Sequence, residues 1–109
     1  MRDGKPDEAL PYVNAIRTRA AKPGHEAEML VTAANLNLDF ILDERARELT
    51  GETMRWFDLT RTHKLVERVQ LGQPGSAAAQ NVKACHELRP IPTNEILLST
   101  GGMKQNPCY

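Results

Sequence analysis

Ile41-Leu42-Asp43-Glu44-Arg45-Ala46-Arg47-Glu48-Leu49 and, after residues 50–54, Arg55-Trp56-Phe57-Asp58-Leu59-Thr60-Arg61-Thr62 decide how this chain folds. In the first stretch Leu38, Ile41, Leu42 and Leu49 fall on one stripe at helical spacing, and Asn37 stands where an N-cap belongs. Asp43 and Arg47 sit at i,i+4 in the favourable order. Arg45 shares the leucine stripe, so its stem is expected to be buried with its charge against a carboxylate from Glu48, Glu52 or Asp58. In the second stretch Thr53 is read as the cap of a helix over residues 54–69 with two apolar sides. Trp56, Leu59 and Val66 form one side and Phe57 and Leu65 the other. A helix with two apolar faces packs between layers, which predicts a neighbour on each side.

Working outward, Asp7 and Glu8 open a helix over residues 7–20, with Arg17 and Arg19 near its negative end and Pro11 within the first turn. Pro23-Gly24 stops it. Residues 25–34 fit either a short helix or a loop. Residues 71–86 turn small and polar and read as a surface loop. Leu88-Arg89-Pro90-Ile91-Pro92 must be extended, because each proline biases its predecessor away from helix. Thr93 then caps one helical turn through Leu98, and the remainder is irregular. The expectation is an all-α chain, an irregular helical array with long loops, forming one partial domain over residues 1–109.

Composition excludes several classes. Fourteen basic and fourteen acidic residues cancel, so no electrostatic funnel draws in nucleic acid or anionic lipid. No stretch approaches the roughly 18 apolar residues of a membrane span. Met1-Arg2-Asp3-Gly4-Lys5-Pro6-Asp7 has no apolar signal-peptide core, which fits a cytoplasmic protein and equally a chain whose first part is missing. Cys85 and Cys108 lack Cys-x-x-Cys spacing. A disulfide between them is conceivable, but with no other staple in the chain the reading is against it.

Catalytic constellations do not assemble. Cys85 and His86 are adjacent, the wrong arrangement for nucleophile and base. His25, His63, His86 and the cysteines are scattered and lack i,i+4 pairing, so no metal site is expected. Glu44/Glu48 and Asp39/Asp43, amid arginines, read as a solvated, salt-bridged face. No enzymatic reading, metal or cofactor follows. A helix-turn-helix over residues 38–69, with Arg55, Thr60, Arg61, Thr62, His63 and Lys64 as contacts, is the alternative. Against it, Trp56 and Phe57 occupy the start of the would-be recognition helix, where base-reading side chains should be exposed.

Three blocks carry a resemblance. Tyr12-Val13-Asn14-Ala15-Ile16-Arg17-Thr18-Arg19-Ala20, the two opening stretches, and Leu88-Arg89-Pro90-Ile91-Pro92 with Glu95-Ile96, Gln105-Asn106-Pro107 and Tyr109 resemble, in order and spacing, the C-terminal region of the SusD/RagB proteins. These are outer-membrane nutrient-binding lipoproteins of Bacteroidetes. The resemblance implies an α-superhelical fold and a surface-exposed place on the outer membrane through a lipid anchor that lies outside this chain. It also implies a SusC-like TonB-dependent transporter as partner, no nucleic acid, and a glycan or other nutrient held by upstream parts. It carries no ligand-binding residue onto this sequence. His63 stands where Gly is common before Lys64-Leu65, which predicts that the helix continues; Cys108 replaces a frequent Gly and leaves that turn's backbone open; Gly51 and Thr53 also depart from the usual spelling.

The residues singled out are therefore structural: Arg17, Glu44, Arg45, Glu48, Arg55, Trp56, Phe57, Asp58, Arg61, Pro90 and Pro92. Trp56 and Phe57 are expected to face inward, beside a partly buried network of Arg45, Arg55 and Arg61 with Glu44, Glu48 and Asp58.

Overall fold

The computed structural model describes residues 4–109; Met1, Arg2 and Asp3, which open the stretch read above for a signal peptide, lie outside the described residues. The chain divides into two compact units, Met1–Gly51 and Glu52–Tyr109. All regular structure among the described residues is helical. None of these helices is long and apolar enough to cross a membrane.

The first unit is built on α1 (Pro6–Ala20) and α2 (Leu38–Glu48). Pro6 opens α1, where a missing N–H costs nothing, and Asp7 and Glu8 complement the dipole. This start places Pro11 beyond the first turn, contrary to the sequence reading. Pro11 therefore cannot donate to the Asp7 carbonyl. Residues 25–34, ambiguous in sequence, form 3₁₀ turns at Glu26–Met29 and Ala33–Asn35. Asn37 caps α2 as its side chain accepts from the Phe40 N–H at 2.8 Å. Leu42, at 1% exposure, and Leu36 form the buried apolar centre, while Leu38, Ile41 and Leu49 are half-buried.

In the second unit the single helix predicted over residues 54–69 is instead two: α3 (Arg55–Arg61) and α4 (Leu65–Gly72). Thr53 does not cap it; its φ is 60° and Met54 takes the cap position without a side-chain bond. His63 causes the break. With φ at 56° it ends α3 in the left-handed conformation. Its N–H reaches the Thr60 carbonyl (3.1 Å) and the Lys64 N–H reaches Leu59 (2.8 Å). This pair of bonds is the Schellman ending that a glycine usually makes. Histidine thus adopts a conformation that glycine usually takes, and the helix does not continue. Cys108 is left-handed as well, at φ 77°.

The stretch 71–86, expected to be a surface loop, contains the end of α4, then α5 (Ala77–Asn81) and a 3₁₀ turn at Ala84–Glu87. Ser76 caps α5 through the Ala79 N–H at 3.1 Å, and Ala79 is buried. Leu59, Leu65 and Ala79 form this unit's buried apolar centre. Residues 88–92 are extended as expected, and α6 (Thr93–Leu98) follows with Pro92, not Thr93, at the cap position.

Candidate functional site

In the first unit Arg17 is the centre. Its Nε donates to the Met29 carbonyl at 2.5 Å and its Nη1 to Glu44 at 2.6 Å, and its guanidinium lies 5.6 Å from the Phe40 ring centroid. The Arg17 and Glu44 side chains are only 17% and 16% exposed. Glu44 also takes Arg47, and Glu48 takes Arg19. Three residues before Arg17, Asn14 accepts from the Val31 N–H (3.0 Å) and donates to the Val31 carbonyl (3.1 Å), satisfying both backbone groups of that residue. Beside these pairs, Tyr12, Val13, Ile16, Ile41, Arg45 and Leu49 line a groove of about 260 Å³. Apolar side chains dominate it, and Arg45 is among the residues that line it.

In the second unit the buried member of the Arg-Trp-Phe-Asp motif is the acid. Asp58 is 3% exposed and accepts from Arg61 Nε (3.1 Å) and Nη2 (2.8 Å) through Oδ1. The rings behave differently from expectation. Phe57 is 52% exposed and Trp56 is half-buried. The break after α3 explains this, since a two-turn helix lacks the length to bury two opposite faces. Arg89 covers both rings, its guanidinium 5.2 Å from Trp56 and 5.7 Å from Phe57. Neither ring lines a pocket among those described.

The chain's end is tied to the extended 88–92 segment. Gln105 accepts from the Ile91 N–H (2.8 Å) and donates to its carbonyl (2.9 Å). Asn106 donates to the Arg89 carbonyl (2.7 Å) and the Tyr109 hydroxyl to that of Leu88 (3.2 Å). Cys85 and Cys108 are joined in a disulfide, Cα atoms 6.1 Å apart, against the sequence reading. Tyr109 stacks at a tilt on His86, 5.7 Å between centroids. Cys108 thus joins the adjacent Cys85 and His86, their sulfur and ring-nitrogen atoms lying within 4.8 Å of one another. Their sulfurs are bonded to each other and so are not thiolates available to a metal. Pro90 and Pro92 keep their segment extended for the Gln105 amide to reach.

The two arrangements are held by side-chain amides, ion pairs and one crosslink, all devices that fix chain geometry. The same residues define a lineage: the SusD family profile matches residues 1–109 in full. The chain belongs to the SusD family. A SusD-like protein P38 from Formosa agariphila is 42% identical over 69 residues, covering 59% of this chain and 14% of that protein. A SusD-like protein P2 from the same organism is 34% identical over 107 residues, covering 94% of this chain and 21% of its own length. The chain thus spans about a fifth or less of the SusD-like relatives it matches. No solved structure matches it significantly. The all-helical architecture agrees with the SusD-like fold expected from the motifs.

Proposed function

We propose that this chain is a scaffold portion, C-terminal in type, of a cell-surface lipoprotein of the outer membrane. That lipoprotein binds glycans or related nutrients and works with a SusC-like TonB-dependent transporter. The observation that carries the reading is the family match along the whole chain. Scaffold rather than ligand contact is supported by what the motif residues touch. Arg17 and Glu44 satisfy each other, Asp58 is buried against Arg61, and Arg89 occupies ring faces a sugar would need. Residues 1–109 therefore contribute rigidity, and ligand recognition belongs to other parts of such a protein. The disulfide suits an oxidising compartment outside the cytoplasm.

The helix-turn-helix alternative fares worse. α3 ends at Arg61, so His63 and Lys64 lie outside the helix that would enter a groove. The test is fractionation of cells making the native gene product, followed by affinity capture. The expected result is an outer-membrane pool, protease-accessible on intact cells, that brings down a β-barrel transporter. A soluble cytoplasmic pool, or salt-sensitive DNA binding in a gel shift, overturns the reading. On the same gene product, Trp56→Ala is expected to lower the thermal midpoint while leaving glycan affinity of the folded protein unchanged.

A further inference from the structure

The disulfide and the aromatic pair share one backbone segment. Asn106 and Tyr109 flank Cys108, and they grip the carbonyls of Arg89 and Leu88. Arg89 in turn lies over Trp56 and Phe57. Besides these contacts the end is held by Gln105 on Ile91 and by the Met103 N–H on Ser99 Oγ; Met103, Lys104, Pro107, Cys108 and Tyr109 are all exposed, so apolar burial contributes little. Cys108 also sits in the left-handed region, a conformation a non-glycine residue leaves once nothing holds it there. The crosslink is open to attack, with Cys85 half-buried and Cys108 exposed.

We propose that Cys85–Cys108 is a redox latch that holds Arg89 over Trp56 and Phe57, and that its reduction uncovers the two rings. The co-reactant is a dithiol. Its thiolate attacks one sulfur and breaks the protein's S–S bond, forming a mixed disulfide. Its second thiol then displaces the protein sulfur. Two electrons and two protons end on Cys85 and Cys108 as thiols, and the reductant closes to its own disulfide. The terminal segment leaves residues 88–89, the backbone of Arg89 loses its grip, and the guanidinium departs from the rings. The inference is independent of which nutrient the family member binds.

Trp56 is the chain's sole tryptophan, so its fluorescence reports this directly. Acrylamide quenching, being uncharged, is measured on the oxidised chain and after dithiothreitol, with alkylation and mass confirming two thiols. Quenching is expected to rise on reduction, with far-UV helicity retained, and to fall again on reoxidation. Cys108→Ser is expected to show high quenching without reductant, and Arg89→Ala high quenching while still oxidised. Unchanged quenching on reduction overturns the proposal. So does unchanged quenching in Arg89→Ala, which would mean that Arg89 does not shield the ring. Loss of helicity on reduction overturns it too, since the crosslink would then be a global staple rather than a latch.

Discussion

At the scale of single residues, Arg17 does more than its position in sequence announces. Its charge near the end of α1 suited the helix dipole, and the Tyr12–Ala20 block marked it as structural. Its partners were not legible, because Met29 and Glu44 lie 12 and 27 residues away and no local pattern brings them near. Arg17→Met is expected to cost about 1–3 kcal/mol, read as a lower urea midpoint, because Glu44 loses a shielded counter-charge and the Met29 carbonyl a donor. Pairing that change with Glu44→Leu should recover part of the loss, since no shielded carboxylate is then left with the exposed Arg47 in place of Arg17. An additive double variant would show that the pair is not coupled. Phe57 teaches the opposite lesson. Its place in the motif suggested burial, yet hydrophobic residues are not confined to interiors, and its ring is half open.

Among the elements, the caps with side-chain oxygens differ in how plainly they could be read. Asn37 before an apolar stripe announced the start of α2, whereas Ser76 before three alanines looked like loop. Alanine runs carry helix propensity without periodicity, so pattern reading passed over α5. Asn37→Ala is expected to remove about 1 kcal/mol, measured by thermal melting. The α3–α4 break was hidden for a different reason. A histidine gives no warning of a left-handed backbone, and only comparison with a glycine spelling points to it. His63→Gly is therefore expected to raise stability by about 0.5–1 kcal/mol, as relief of the left-handed penalty exceeds the added freedom of the unfolded chain. The contact that the exposed His63 ring makes with Glu87 subtracts little from this. A lower melting midpoint for His63→Gly would show that the histidine side chain matters more than its backbone.

Across the whole molecule, helical class and family were readable, because periodicity and motif order survive in a short piece. The division at Gly51 and the crosslink were not. Both depend on which distant segments meet, and two cysteines alone carry no pairing information. Closing a loop between residues 23 apart in sequence should stabilise the second unit by roughly 3–4 kcal/mol on the loop-entropy model. Hydrogen exchange after reduction should therefore quicken in residues 88–92 and 103–109, while protection in α1 and α2 stays as it was. Equal loss in both units would mean that they unfold as one.

Pro90 and Pro92 leave Ile91 as the sole N–H donor between them, and Gln105 already occupies both its backbone groups. An exposed extended segment ordinarily invites a second chain to zip alongside it. Between the two prolines the ladder is one rung long and already taken, so this stretch of backbone can lie at a protein surface with little to offer a growing fibre.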